Sequence, residues 1–268
     1  MSEVYNRISC WSITNAAQTG ALLAGATTVF LALMLLDLPP RFTFAQFKRV
    51  NPIPPEALWE VVYSRNASTI KVKRLPAALE NLRLIFEATF QLANQVGFGA
   101  MTLRDLAQTS GLSMGGIYGY LQSKDALAAM IEDLIRFIGQ EIPKWFDSCE
   151  IGAADRIDRS LRAHVFMSEL LQPWFYFVFM ESRVLSVEQR RIARSADTDF
   201  QMMLAHEISQ LWQAVDPKQA FLTAAHFQSM VQDWYVKRWK YRAEKISVDE
   251  FADSLSSMIS AKLAAFCE

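Results

Sequence analysis

The chain is poor in the residues that punctuate or staple a fold. Its 268 positions hold 3 Cys, 3 His, 10 Gly and 9 Pro. Cys10, Cys149 and Cys267 lie far apart, which excludes paired metal spacing and a disulfide framework and suits a reducing, cytoplasmic setting. His164, His206 and His226 are equally scattered. Without convergent ligands they read as helix-face or core histidines. A glycine-rich phosphate loop, a nucleophile elbow and an HExxH pair are all missing. Glu169 and Glu181 lie near aromatics without any base–nucleophile pairing, so neither an enzyme nor a cofactor is expected. A surplus of one charge is lacking too: the net charge is −1, so any phosphate binding needs a local positive patch. Hydrophobic residues, by contrast, make up 51% of the chain. Ala, Leu, Met, Gln, Glu, Lys and Arg are plentiful, which favours an all-α fold over a sheet.

No charged residue occurs from Ile8 to Leu36, and Ala21 to Leu36 (ALLAGATTVFLALMLL) is almost wholly apolar. Such a run raises a membrane question. Three readings stand: an anchor over 16–36 with a cytoplasmic body on the side of Arg41, Lys48 and Arg49; a soluble helix packed on the rest; or a dispensable leader. A cleaved secretory signal does not fit, because Asp37-Leu38-Pro39-Pro40 follows instead of a small-residue cleavage site. Pro39, Pro40, Pro52, Pro54, Pro55 and Pro76 then mark a connector. A short helix between Pro55 and Ser64 would put Leu58, Val61 and Val62 on one face. The connector closes in the basic arm Lys71-Val72-Lys73-Arg74.

Beyond Pro76 the apolar spacing is helical nearly to the end. It predicts helices at about 77–96, 103–109, 114–120, 124–146, 155–171, 174–183, 187–214, 217–242 and 248–266. Gly97 fits a C-cap; Ser186 with Gln189 and Ser247 with Glu250 have capping-box spacing; Asp216 precedes a first-turn Pro217. Three regions follow: an extension over 1–76, a three-helix domain over 77–125 and a helical body over 126–268.

Met101 to Leu127 (MTLRDLAQTSGLSMGGIYGYLQSKDAL) carries the informative pattern. Thr102 can cap the next helix with Asp105 at the reciprocal position. Leu103, Leu106 and Ala107 form a small inward face, and Ala107 permits a close helix crossing. Gly111 can take the left-handed conformation of a tight corner. Ser113 can cap the second helix, and Ile117 would point back against Leu106 and Ala107. This is a helix-turn-helix, whose second helix enters the DNA major groove. Between 65 and 124 seven basic residues stand against three acidic ones, a balance of +4 that leaves −5 for the remainder. A positive segment on an acidic body suits steering to DNA.

The same stretch resembles the TetR (tetracycline-repressor-like) regulators. The resemblance rests on Gly97, Thr102, Leu106-Ala107, Gly111, Ser113, Gly115, Ile117-Tyr118, Tyr120, Ser123-Lys124 and Leu127, and spans about 80 to 130. It implies a homodimer that binds a palindromic double-stranded DNA operator and releases it when a small molecule enters the C-terminal domain, a ligand-responsive repressor. Tyr118, Tyr120 and Lys124 would touch phosphates; Thr102 and Ser113 would lie near them. Lys71, Lys73 and Arg74 sit like the basic arm of some members. Two departures stand out. Gly116 and Gly119 occupy positions where the family often has larger residues, so Met114, Tyr118 and Arg104 are the main side chains left for base edges. With Gly115 they suggest close backbone approach and partial reading of DNA shape. The second departure is the long leader.

In the body, an aromatic cluster with a few polar groups suggests a cavity for a small apolar effector. Its candidate lining is His164, Phe166, Trp174, Phe175, Phe179 and Glu181, with core packing as the plainer reading of each ring. The last two helices match the dimer bundle of the family. Phe221, Ala225, Met230, Trp234 and Tyr235, with Phe251, Leu255, Ile259, Leu263 and Phe266, would supply its apolar faces. Trp234 to Arg242 (WYVKRWKYR) reads as a solvated cationic face, with a second nucleic-acid patch as the alternative. Two other readings of the whole chain remain: the same regulator tethered to a membrane by 16–36, and a helical enzyme or ligand carrier.

Overall fold

The computed structural model describes residues 42–266 except 148, 150, 182–186 and 213–214. The apolar run over 16–36 and the cap at Ser186 fall outside the described residues. Among those described, no helix is long and apolar enough to cross a membrane, and there is no strand. In chain order come α1 (Phe44–Val50), a 3₁₀ turn (Pro55–Ala57), α2 (Leu58–Arg65), α3 (Leu75–Val96), α4 (Leu103–Ser110), α5 (Met114–Tyr118) and α6 (Lys124–Asp147). They are followed by α7 (Ala153–Leu170), α8 (Gln172–Glu181), α9 (Val187–Leu211), α10 (Pro217–Val236), α11 (Arg238–Ala243) and α12 (Val248–Ala264). Helices α3 to α5 form the helix-turn-helix unit, and α6 runs from it into a bundle with α7, α9 and α10.

The apolar periodicities account for these elements. Leu82, Ile85, Phe86 and Leu92 are buried along α3, and Gly97 caps it with a positive φ of 80°. Ser247 and Glu250 make the expected capping box of α12. The helix expected over 217–242 is broken at Lys237. That break folds Tyr241 back to within 5.2 Å of the Trp234 ring and 5.0 Å of Phe251. An aromatic cluster across three helices outweighs the local helical propensity that a sequence pattern registers.

The segment read as a connector is instead part of the core. Thr43 and Gln46 form a capping box that starts α1, and the Phe44 N–H donates to Asp249 Oδ1 of α12 at 2.8 Å. Phe42 and Phe47 are buried against Phe166 at 5.9 and 5.7 Å. Trp59 of α2 packs 5.8 Å from both Phe86 and Trp174. Arg65 grips Asp133 of α6 through two bonds of 2.5 and 2.7 Å. The extended residues after Ile70 then run beside α5, where the Lys71 N–H donates to Gly119 O at 2.8 Å. Prolines forbid a long helix here but not burial; the aromatics between them provide it, and residues 42–74 form a strap from body to helix-turn-helix.

Candidate nucleic-acid interface and ligand cavity

The corner between α4 and α5 is built locally. Thr102 Oγ1 accepts from the Asp105 N–H at 3.2 Å while Asp105 Oδ2 accepts from the Thr102 N–H at 2.9 Å. The Thr102 hydroxyl and N–H hold the Asp105 carboxyl below its ordinary pKa. Gly111 ends α4 in the left-handed conformation (φ 72°, ψ 10°), as a tight corner requires. Ser113 Oγ accepts from the Gly116 N–H at 3.0 Å and so starts α5. Leu106, Ala107 and Ile117 are buried where the two helices meet.

Tyr118 is 43% exposed on α5. Arg104, Thr102, Ser113 and Gly115 are also exposed, and Met114 is half-buried beside them. A Cβ at Gly115 would meet nothing nearer than Ser113 Oγ at 3.9 Å, so the fold itself does not demand glycine there. Gly119 differs: a Cβ would lie 3.0 Å from Gly116 O and 3.2 Å from Val72 Cγ2. The strap, not DNA, accounts for its missing side chain.

Other assignments change in the structure. Tyr120 is only 1% exposed; its hydroxyl accepts from Asn81 Nδ2 at 3.0 Å and donates to Ala77 O. It braces α3 and cannot reach a phosphate. Lys124 caps the loop between α3 and α4: Nζ donates to Phe98 O, Gly99 O and Met101 O at 2.9, 2.6 and 3.2 Å. Lys73 likewise donates to Ala67 O and Ile70 O at 3.0 and 2.7 Å. The donors of both are engaged by the fold. Arg83 is neutralised by Glu80 and Glu87. Besides Lys73, whose ammonium is engaged, the cations exposed near the corner are Lys71, Arg74 and Arg104.

Residues 85–131 match the model of the bacterial regulatory proteins, tetR family. This segment is similar to that family. The TetR-type arrangement extends through the body. A TetR-family transcriptional regulator from Bordetella parapertussis superposes with a TM-score of 0.59 at 15% identity, over 66% of this chain and 92% of the other. The fatty acid degradation regulator FadR from Bacillus halodurans gives 0.52 at 13% identity, covering 67% and 94%. FadR from Bacillus subtilis, in complex with stearoyl-CoA, gives 0.50 at 14%, covering 66% and 97%. These identities speak for a shared fold. Among curated proteins no sequence matches.

In the TetR-type body a cavity of about 510 Å³ opens between α6, α7, α8, α9 and α10. Of the expected lining residues it gathers His164, Phe175 and Phe179. Phe166 lies elsewhere, fully buried among Phe42, Phe44 and Phe47. Trp174 stacks on Phe86 at 4.6 Å, at the junction with the helix-turn-helix unit. Glu181 lines a separate cavity of about 150 Å³ with Phe90, Gln172 and Tyr176. The rings nearest His164 are Phe200 at 4.9 Å, Phe175 at 5.6 Å and Tyr235 at 6.3 Å. Burial pushes His164 down to about 4, so it is neutral at pH 7.

The polar lining was not foreseen. It includes Glu132, Arg136, Ser160, Arg190, Arg194, Asp197, Gln228 and Gln232. Burial raises Glu132 to about 7. Desolvation also raises Asp197, although Gln228 and Gln232 both donate to it. A usable signal existed in the sequence: Glu132 directly follows the buried Ile131 and lies two residues before the buried Leu134 of the α6 stripe.

The basic aromatic stretch after Trp234 is a paired network rather than an open patch. Arg238 donates to Glu169 at 2.8 and 2.9 Å, and the buried Trp234 donates to the same carboxylate at 3.1 Å. Desolvation opposes ionisation of Asp233, yet Lys237, Lys240 and Tyr241 hold it down at about 2. The expected partner-facing residues are also spent within the chain: Trp234, Tyr235, Leu255, Ile259 and Leu263 are buried here. The apolar side chains left exposed on α10 and α12 are Phe221, Leu222 and Met258.

Proposed function

We propose that the protein is a DNA-binding transcriptional regulator of the TetR type, a ligand-responsive repressor that releases a palindromic operator when a small lipophilic effector enters the 510 Å³ cavity. The observation that carries this reading is the exposed α4–α5 corner, with Tyr118, Arg104, Ser113 and a side-chain-free Gly115 on its outer face. Arg74 and Lys71 lie beside it at the end of the strap and supply phosphate-directed charge. Met114, Tyr118 and Arg104 are the base-reading candidates, Thr102 and Ser113 the backbone-contacting ones. A homodimer through the exposed face of α10 and α12 would present two such corners. The body suits an effector in volume, and the Bacillus subtilis neighbour with stearoyl-CoA is an instance of this fold with a long apolar ligand.

Selection of genomic fragments by the purified full chain tests the reading. The expected result is a palindrome with half-sites about 34 Å apart, one helical turn. Failure to enrich any sequence over bulk DNA would remove the regulator assignment.

A further inference from the structure

We propose that the body cavity recognises a lipophilic amine: an aromatic or aliphatic body carrying a protonated nitrogen that donates to Glu132 and Gln228. This deepens, and rests on, the reading of the chain as a ligand-responsive regulator.

The cavity contains unmet hydrogen-bonding demand. Glu132 Oε1, Ser160 Oγ and Gln228 Oε1 have no partner, against one unpaired donor of the lining, Arg136 Nε, although Glu132, Ser160 and Gln228 are only 4%, 1% and 3% exposed. Leaving such an atom unpaired costs about 1–3 kcal/mol, and folded proteins rarely tolerate a group of them without a reason. All three residues face the same cavity.

At Gln228 the sign of that demand is fixed by chemistry. Gln228 Nε2 donates to Asp197 O at 3.2 Å and to Asp197 Oδ1 at 2.6 Å. Reversing the amide would set oxygen against oxygen, so Oε1 must be presented as an acceptor. An ionised Glu132 offers acceptors only. A ligand that satisfies both must bring donors, which a carboxylate or phosphate head does not.

The charged lining is of mixed sign. Arg136 is bound to Asp133 through Nη2 at 2.5 Å and leaves Nε as an unpaired donor, His164 is neutral, and Arg190 and the exposed Arg194 also line the cavity from α9. Asp197 adds a second carboxyl to the lining. Burial alone holds Glu132 near neutrality, and an incoming ammonium would draw out its ionised form. Phe175, Phe200 and Tyr235 offer ring faces that attract a cation.

Three compounds with one body and different heads give the test: 4-phenylbutylamine, 4-phenylbutanol and 4-phenylbutyrate, titrated into the full chain by calorimetry at neutral pH. The amine should bind about tenfold more tightly than the alcohol, the value of one charge-assisted hydrogen bond, and the acid most weakly. Glu132→Gln should bring the amine to the affinity of the alcohol without changing the alcohol. Gln228→Met, an independent variant, should weaken amine and alcohol together. Equal or tighter binding of the acid, or no binding of any of the three, overturns the amine class. The parent reading is tested separately by the same chain on its selected DNA: release by the acid sinks the amine class alone, whereas absence of any specific DNA binding sinks the regulator.

Discussion

His164 and Glu132 line one cavity and are perturbed in opposite senses, which makes their effect on stability separable. The folded pKa of His164 is lowered from 6.5 to about 4. Between those values the unfolded chain holds a proton that the folded chain does not, so stability falls as pH falls from about 6.5 towards 4. Glu132 is raised from 4.5 to about 7. There the folded chain holds the extra proton, so stability falls as pH rises from about 4.5 towards 7. Across roughly pH 4.5 to 6.5 the two slopes, each about 1.4 kcal/mol per pH unit at most, oppose each other. His164→Phe should expose the Glu132 slope, a loss of about 3 kcal/mol from pH 4.5 to 7 relative to the parent. Glu132→Gln should expose the His164 slope, a loss of about 3 kcal/mol on acidification from pH 6.5 to 4. Urea melts across this range check both; variant curves parallel to the parent would exclude the assignment. The histidine was visible in the sequence through the aromatic cluster that follows it, of which Phe175 packs against it, while Phe200 and Tyr235 come from distant helices. The glutamate was signalled only by its place on the buried stripe of α6, beside Ile131 and Leu134, and the cavity it lines is assembled from four other helices.

At the scale of elements, the strap and α5 constrain each other. Alanine would normally improve a helix at Gly119 by up to about 1 kcal/mol, but its Cβ would crowd Gly116 O and Val72 Cγ2. Gly119→Ala is therefore expected to destabilise the chain by about 1–3 kcal/mol, the usual cost of overpacking. Adding Val72→Ala should recover about half, which a double-mutant cycle of thermal melts would read; full additivity would mean the strap does not press on α5. Lys71→Pro removes the N–H that bonds Gly119 O, whereas Lys71→Ala removes only charge. Faster amide exchange over 117–121 is expected in the proline variant and not in the alanine variant. Thr102, Asp105, Gly111 and Ser113 were legible because caps and turns are set by residues within four positions of each other. The strap was not legible, because its partners lie on α3, α6, α7 and α12.

At the scale of the whole molecule, the apolar surface left over decides assembly. Trp234, Tyr235, Leu255, Ile259 and Leu263 are consumed by the protomer's own core. A self-association through α10 and α12 must then use Phe221, Leu222 and Met258. In the proposed dimer, replacing Phe221 and Leu222 together by Glu should give a monomer in sedimentation and weaken binding to the proposed operator at least tenfold, as two half-sites lose their linkage. A dimer that survives this change places the interface elsewhere. The fold itself tolerates such surface changes, because neither residue contributes to the buried core.

The amino-acid sequence by itself determined the all-α class, nearly every helix and the α4–α5 corner, because periodicity, caps and a left-handed glycine act over a few residues. Only tertiary structure decided that Tyr120, Lys124 and Lys73 serve the fold, that the proline-rich segment is a strap, and that a cavity assembled from five helices carries unpaired acceptors. Those outcomes depend on which distant side chains compete for the same space and the same hydrogen bonds, and no local spacing encodes that competition.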